Sequence, residues 1–333
     1  MHHTHIKLGH GSGGLLSSTL IKDVVLKYFK SSTLKRLEDA AILKNPRTRL
    51  AFTTDSYVVQ PIVFPGGDIG TLAICGTVND LAMKGADPLY ISFSMIIEEG
   101  FALADLARIL SSAARMARRA HVEVVCGDTK VVEKGSVDKI FITTSGIGAV
   151  RMSIGKDRIQ QGDKVMVSGT IGDHGIALIN ERLQLGLRSD IKSDCAPLNL
   201  LTRSLISFRS SLHCMRDPTR GGIAAVLNEV IENTGLGIII HEQHLPLRKE
   251  VIGASEILGI DPLYIANEGK LVAFVAKKSA ARFLARMRAH PLGRKAAIIG
   301  EVVQHPKGVW MRTTIGGTHP VLLLEAEGLP RIC

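Results

Sequence analysis

The chain has 333 residues, of which 45% are hydrophobic, and it carries a formal net charge of +10. This length and apolar content are enough to bury substantial cores in about two globular domains. No apolar run reaches the ~18 residues that a bilayer crossing needs, and the opening MHHTHIKLGH lacks the apolar core of a signal peptide. A cytoplasmic protein with reduced thiols and no membrane association is therefore expected.

The basic charge raises the possibility of a nucleic-acid partner. The strongest excess of Lys and Arg, over residues 277–312, is interrupted by apolar residues typical of helices and strands, which indicates a solvated face. Aromatic residues make up only 4% of the chain and leave few platforms for unpaired bases. No nucleic-acid partner is expected, and an acidic protein or an anionic small molecule is equally compatible with the charge.

The first glycine-rich segment, LGHGSGGLLSSTLIKDVVLKYF, places Gly9, Gly11 and Gly14 at GxGxxG spacing before a helix-like stretch. A dinucleotide fold would need a longer strand than HIKL before it and an acid at the end of a second strand, whereas residues 38–39 are acids in a charged helical stretch. No Gly-Lys-Ser/Thr follows either. The segment predicts an amide-rich arm in which Gly11 and Gly13 can approach phosphate oxygens, with an ordinary terminal arm as the alternative.

Further along, apolar and β-branched runs bounded by Gly, Asp and Pro predict strands. These are RLAFTT, LYISFSMII, VEVVCG, KIFITTSGIGAV, KVMVSG, LGIIIH, LVAFVA, AAIIGEVV, GVWMRT and PVLLLE. The segment FALADLARILSSAARMARRA has one apolar stripe with arginines elsewhere and predicts an amphipathic helix. The fold class is therefore mixed α/β. The polar segment RMSIGKDRIQQGD predicts a boundary near residue 155, giving domains over 1–155 and 156–324 and a mobile tail over 325–333.

Three segments each deliver an acid after a strand-like or apolar run, and each is predicted to end in a turn. They present Asp55, then Asn79 with Asp80, and then Asp128 beside Thr129. Mg²⁺ prefers oxygen ligands and takes one or two carboxylates together with water and substrate phosphates. Turn chemistry or helix capping would explain any one acid. The recurrence favours convergence of Asp55, Asp80 and Asp128 on a metal–triphosphate.

The segment MRDPTRGGIAAVLNEVIE predicts a second anion site. Asp217 and Pro218 suit the N-cap and first turn of a helix. Arg220, Gly221 and Gly222 place a guanidinium and bare amides near that helix start, which favours a bound anion. Capping and anion binding are compatible with each other.

The chain ends in PRIC, so Cys333 is the last residue. A prenylation box would need its cysteine four residues from the end. The other four cysteines show no CxxC pair or zinc-site spacing, so a structural disulfide or zinc site is not expected: Cys75, Cys126, Cys195 and Cys214. What remains is either an incidental terminal thiol or a functional one.

Taken together, these motifs resemble the hydrogenase maturation protein HypE family. The resemblance rests on HGSGG, TTDSYVV, FPGGDIG, LAICGTVNDLAMKGADP, GDTKVV, SGTIGDHG, DPTRGG, ANEGKL and the terminal PRIC, and it spans residues 10–333. It implies the two-domain fold of aminoimidazole ribonucleotide synthetase and selenophosphate synthetase, with N-terminal strands closing a barrel in a homodimer. Selenophosphate synthesis is disfavoured, because that family carries its reactive residue in the glycine loop, where this chain has no cysteine.

The resemblance further implies an enzyme that receives a carbamoyl group on its terminal cysteine from the carbamoyltransferase HypF. With ATP and Mg²⁺, the enzyme dehydrates this group to a thiocyanate. A HypC–HypD scaffold would then accept the cyanide as a ligand for the iron of [NiFe]-hydrogenase. A terminal position suits such a carrier, because a short swinging arm can visit several sites.

The resemblance also implies roles for particular residues. Cys333 is the covalent carrier, and Lys130 and Glu268 position the thiocarboxamide and move its proton. His174, in GDHG, is a further candidate. The nucleotide and metal residues are the ones already singled out: Gly11, Gly13, Asp55, Asn79, Asp80, Asp128, Thr129, Asp217 and Arg220.

Two other functional classes remain open. An ATP-dependent small-molecule kinase or ligase of this fold would use the aspartates and leave Cys333 idle. A nucleic-acid-binding protein would account for the charge and for none of the loops.

Overall fold

The computed structural model describes residues 4–10, 14–36, 43, 47–184, 186, 190–324 and 331–332. The helices are α1 (Gly14–Leu20), α2 (Leu26–Tyr28), α3 (Ile69–Met83), α4 (Leu103–Ala120), α5 (Asp173–Leu183), α6 (Asn199–Ser204), α7 (Gly222–Ile231), α8 (Lys249–Leu258) and α9 (Ala280–Arg288). The strands are β1 (Leu50–Tyr57), β2 (Val63–Phe64), β3 (Gly67–Asp68), β4 (Ala86–Glu98), β5 (Glu123–Val132), β6 (Ile140–Val150), β7 (Lys164–Val167), β8 (Leu212–Arg216), β9 (Gly237–His241), β10 (Val272–Val275), β11 (Ala297–Val303), β12 (Gly308–Arg312) and β13 (Thr318–Pro320).

The first half of the chain forms a four-stranded sheet in the order β1-β6-β4-β5. Side chains alternate between its two faces, as burial along β1 shows: every second residue is exposed, and the residues between are half-buried or buried. Helices α3 and α4 pack on the covered face, and the other face carries polar side chains and the exposed Phe52 and Ile96. The sheet therefore has a covered face and an open face.

Helix α4 confirms the predicted amphipathic helix. Its apolar positions Leu106, Leu110, Ala113 and Ala117 are buried. The arginines at 108, 115, 118 and 119 lie on the exposed side. The 3.6-residue period of apolar residues was sufficient to predict this helix, because the helix has a single buried face.

Helix α3 behaves differently, since it is apolar around its whole circumference and all but one of its residues are buried. It contacts β1, β4, β6 and α4 on the side of the first sheet, and α6 and β8 on the other side. Such a helix is stable only inside a core. It carries the residues at its C-terminal end into the junction between the two halves of the chain.

The second half forms a seven-stranded sheet in the order β13-β12-β9-β11-β7-β10-β8, antiparallel except for β12 beside β9. Nine of the ten strand predictions are confirmed. PVLLLE was wrong, because only Pro320 belongs to a strand and residues 321–324 have no regular structure. The strand β8, LHCMR, was not predicted, because its residues are mixed polar and apolar; it is the edge strand that pairs with β10. The domain limits at 155 and 324 remain predictions.

Among the helices that the structure describes, none combines the length and apolar composition that a bilayer crossing needs. The cysteines at 75, 126, 195 and 214 are free thiols, as expected.

Candidate active site

An acidic cluster lies where β1 meets the C-terminal end of α3. Asp55 points to the covered face of the first sheet, where the buried Tyr57 hydroxyl donates to its Oδ2 over 3.4 Å. The Thr53 hydroxyl donates to Asp80 Oδ2 over 2.7 Å. Burial raises the pKa of Asp80, and the charge of Asp55 adds to this effect. The two acids act on each other electrostatically.

Asp217 belongs to the same cluster. It follows β8 and is half-buried, and burial raises its pKa from 3.8 to about 7. The next largest cause is the negative charge of Asp80, and Asp55 contributes as well. The sequence motif predicts nucleotide binding and capping for Asp217, but not its association with the other two acids.

Asp128 does not join this cluster within one chain. Asp55 lies on β1 and Asp128 on β5, the two edge strands of the sheet. Three strand spacings of ~4.8 Å separate these strands by about 14 Å. Asp128 pairs in register with Ser94 and lies on the open face, where it is exposed and forms an ion pair with Lys130 at 3.4 Å. The predicted convergence of Asp55, Asp80 and Asp128 is therefore wrong for a single copy, because strand alternation places Asp128 on the opposite face.

The placement of these acids in turns was also wrong. Asp55 and Asp128 lie inside strands, and Asn79 and Asp80 lie inside α3. Thr129, beside Asp128, is buried on the covered face of the sheet. The runs that precede these acids have strand and helix patterns that simply continue through them.

Glu268 is buried at the junction of the two halves, and its Oε1 has no hydrogen-bond partner. Burial holds its pKa well above 4.5, and the charges of Asp194, Asp217 and Asp55 add to the effect. A buried, unpartnered carboxyl oxygen costs free energy unless a ligand supplies a donor. Glu268 Oε1 can therefore accept a hydrogen bond from a ligand. Lys130, on the open face, does not pair with it within one copy.

A buried ion pair supports the loop that carries Glu268. Lys270 Nζ contacts Asp194 Oδ2 at 2.8 Å, and Asp194 Oδ1 accepts the Glu268 backbone N–H over 3.0 Å. Burial opposes ionisation of Asp194, but Lys270 lowers its pKa below the ordinary value. Sequence analysis missed both residues, because nothing near Asp194 in the sequence marks it as a partner of Glu268.

Asn79 has a different role from the predicted nucleotide contact. Its side-chain NH₂ donates to the carbonyls of Ala196 and Glu268, and its Oδ1 accepts the Leu198 N–H over 2.8 Å. Both donors are used by the backbone, and the residue is 1% exposed. Asn79 therefore ties α3 to two loops of the second half.

The DPTRGG loop also departs from the prediction. Helix α7 begins at Gly222 with Gly221 as its N-cap, so Asp217 and Pro218 are not the cap and first turn. Gly221 and Gly222 have φ of 70° and 61°, a region that favours glycine, and they let the loop turn before the helix begins. Arg220 is exposed immediately before this start. The predicted guanidinium beside a helix start is thus present.

Residues 331–332, close to the end of the chain, are docked against the protein. Ile332 is 3% exposed and belongs to the same apolar core as Ala266 and Leu178. Its carbonyl oxygen is hydrogen-bonded to His174 Nε2 at 2.9 Å. Arg331 Nη1 donates a hydrogen bond to Asp138 Oδ2 over 2.9 Å. Cys333, Gly11 and Gly13 lie outside the described residues.

Known protein families and solved structures share this architecture. Two family models match: "AIR synthase related protein, N-terminal domain" over residues 37–150 and "AIR synthase related protein, C-terminal domain" over residues 160–311. Carbamoyl dehydratase HypE of Rhodobacter capsulatus is 49% identical, over 98% of each chain. The chain belongs to the HypE family. A crystal structure of HypE in complex with ATP has a TM-score of 0.94 and 42% identity, covering 98% of this chain and 99% of that one.

A second solved HypE, in a HypE–HypF complex, is 46% identical with a TM-score of 0.81, covering 92% of this chain and 99% of that one. The two-domain fold expected from the resemblance is thereby confirmed. The resemblance had been drawn from short motifs, and the identity to known HypE chains extends well beyond them.

The carboxylate oxygens of the acidic cluster are the kind of ligand that a hard divalent cation prefers. Asp55, Asp80 and Asp217 present carboxylate oxygens; burial raises the pKa values of Asp80 and Asp217, and the charges of the neighbouring acids add to the effect. No group of three or more metal-binding side chains is already gathered in the described parts of the chain. Mg²⁺ needs only one or two carboxylates when phosphates and water complete its shell.

Proposed function

We propose that this protein dehydrates a carbamoyl group on the sulfur of Cys333 to a thiocyanate, using ATP. The observation that carries the proposal is the docked chain end. Ile332 is buried beside His174, and His174 reaches Glu268 through the segment of Ser193 and Asp194. The Ile332 carbonyl is therefore connected, through these hydrogen bonds, to the loop that carries Glu268 and its unpartnered carboxyl oxygen.

The chemistry requires activation of the carbamoyl oxygen, which is a poor leaving group. Transfer of the γ-phosphoryl group from ATP to that oxygen releases ADP. The C–O bond then breaks and phosphate leaves, while the nitrogen loses its two protons in all and the C≡N bond forms. The sulfur stays bonded to carbon throughout. The protein must hold the carbamoyl group, screen phosphate charge and accept a proton from nitrogen.

Glu268 is the residue proposed to contact the carbamoyl nitrogen. Its unpartnered Oε1 can accept an N–H hydrogen bond, and burial raises the Glu268 pKa above the ordinary 4.5, which increases the affinity of the carboxylate for a proton. Asp194 and Lys270 hold the loop in place. Glu268 thus combines the position and the proton affinity that the elimination needs.

Mg²⁺ bound with ATP would supply positive charge to the phosphates. Asp55, Asp80 and Asp217 would hold the ion, and the amides of Gly11 and Gly13 and the Arg220 guanidinium would contact phosphate oxygens. Burial raises the pKa of Tyr57 well above 10, so in this arrangement its hydroxyl remains a hydrogen-bond donor to Asp55.

Asp128, Thr129 and Lys130 enter the proposal through a homodimer. The edge strands β1 and β5 are open in one copy, and Phe52 on the open face is 69% exposed. A barrel formed by two such sheets places β5 of one copy beside β1 of the other. Asp128, Thr129 and Lys130 would then lie on a strand next to β1 of the second copy, which carries that copy's Asp55.

The carbamoyl donor in this proposal is HypF, a partner supported by the solved complex of a relative with HypF. The cyanide acceptor is a HypC–HypD complex. Both exchanges need Cys333 to contact these other proteins, which movement of the tail allows.

Mass spectrometry of the C-terminal peptide tests the function directly. After incubation with HypF, carbamoyl phosphate and ATP, Cys333 should gain about 43 Da as CONH₂ and then retain about 25 Da as CN, because a reactive thiolate carries the adduct. Glu268→Gln should accumulate the first adduct only. Glu256→Gln, at an exposed position, is the matched control and should form both. Thiocyanate formation by Glu268→Gln at the native rate would refute the role of Glu268, and the absence of both adducts from the native chain would refute the function.

A further inference from the structure

His174 is buried in the first turn of α5, in contact with the end of the chain. It is 0% exposed, and Phe64 meets its ring edge-on at a centroid distance of 5.6 Å. Its Nδ1 lies 2.8 Å from Ser193 Oγ and its Nε2 lies 2.9 Å from the Ile332 carbonyl oxygen. Both ring nitrogens are therefore engaged, one with the protein body and one with the tail.

The partners of the ring decide where its proton lies. A carbonyl oxygen can only accept, so Nε2 carries the hydrogen. Ser193 Oγ accepts the Cys195 N–H over 3.1 Å and can donate its own hydrogen to Nδ1. Burial lowers the pKa of His174, against the opposing charge of Asp194, which favours this neutral ring. One tautomer thus satisfies every contact.

The carbonyl that His174 holds is covalently part of the peptide group joining Ile332 to Cys333. The other described hydrogen bonds to the tail backbone act one residue earlier: Gln60 N and Arg182 Nη2 donate to the Arg331 carbonyl over 3.1 and 2.6 Å. His174 is therefore the last described contact before the reactive residue, and it acts on the peptide group of that residue.

We propose that His174 is a latch that seats the C-terminal tail by donating a hydrogen bond to the Ile332 carbonyl and so positions Cys333 for dehydration. It is a positioning residue, because it contacts the tail backbone and not the sulfur. Its effect on dehydration rests on the proposed function, whereas the seating of the tail does not. Loss of this bond would leave the buried Ile332 side chain and the Arg331 contacts to hold the tail, so the tail would leave this position more readily for exchange with other proteins.

Alkylation of Cys333 by iodoacetamide, measured on the C-terminal peptide of the full-length protein, tests the latch without any partner. His174→Leu removes the donor and should raise the alkylation rate about tenfold, the effect of one lost buried hydrogen bond on the docked fraction. His174→Gln keeps an N–H donor and should stay within about twofold of the native rate.

The matched control is His213→Gln, the same change at a buried histidine that contacts Asp163 and not the tail. It should leave alkylation of Cys333 unchanged. If His174→Leu does not fold, Ser193→Ala leaves the ring in place but removes its orienting partner, and it should raise the rate about threefold. A native rate in the folded His174→Leu or in Ser193→Ala, or a His174→Gln rate equal to that of His174→Leu, would overturn the latch.

A second measurement separates the latch from the proposed function. With the carbamoyl group already attached, His174→Leu should slow single-turnover dehydration by about tenfold, while the rate of carbamoylation by HypF is unchanged or faster. If neither the native chain nor the variant dehydrates, yet His174→Leu still speeds alkylation, the latch stands and the proposed function fails. Normal dehydration by His174→Leu would overturn the positioning role.

Discussion

Replacement of Asp217 by Asn should stabilise the protein above neutral pH. In the folded chain, burial and the charge of Asp80 raise the pKa of Asp217 to about 7, against 3.8 for an ordinary carboxyl. The unfolded chain therefore ionises at lower pH than the folded one. The resulting destabilisation is absent below pH 3.8, grows between pH 3.8 and about 7, and is constant above that.

The magnitude follows from about 1.4 kcal/mol per pH unit. Between pH 5 and the folded pKa of about 7, two pH units correspond to about 3 kcal/mol. The unfolding free energy of Asp217→Asn, relative to the native chain, should therefore increase by about 3 kcal/mol from pH 5 to pH 8. Because Asp80 supplies part of the repulsion, the increase should be smaller in an Asp80→Asn background.

Guanidinium unfolding at several pH values between 5 and 8, with EDTA present, measures this difference. Asp190→Asn, which removes an exposed carboxylate, is the control and should show no such trend. Mg²⁺ with ATP should stabilise the native chain more than Asp217→Asn, since a bound cation relieves the repulsion. A difference that stays constant from pH 5 to pH 8 would falsify the claim that Asp217 is ionised at a cost in the folded protein.

Three further changes test the packing that supports the site. Lys270→Met should lower the unfolding free energy by about 3–5 kcal/mol in urea, because it leaves Asp194 buried without its partner; a loss under 1 kcal/mol would contradict the ion pair. Gly269→Ala should cost about 1–3 kcal/mol in the same assay, since a Cβ there would strike the Asp194 carbonyl oxygen, and an unchanged midpoint would be the opposing result. Asn79→Ala should cost about 3 kcal/mol, since it strips partners from the Leu198 N–H and two carbonyls, and a thermal midpoint equal to the native one would contradict this.

Local sequence pattern was enough for most of the secondary structure and for the family. Helix α4 has one apolar stripe, and strands such as β4 and β6 are long β-branched runs, so their periods alone identified them. The motifs around Asp55, Asp80 and Glu268 were found for the same reason: each is a short, contiguous signature. The strand β8 was not predicted, because it is a strand through its pairing with β10 and not through its composition.

The composition of the site depended on contacts between distant parts of the chain. Asp194 and the Glu268 backbone are 74 residues apart, and His174 and Ile332 are 158 apart, so no sequence window contains either pair. The separation of Asp128 from Asp55 has an equally non-local cause. Alternation along each strand and the strand order β1-β6-β4-β5 put the two acids on opposite faces and opposite edges. The sequence by itself determined the family and the candidate residues. Only the tertiary structure decided which of these residues meet, because their contacts form when the two halves pack around α3.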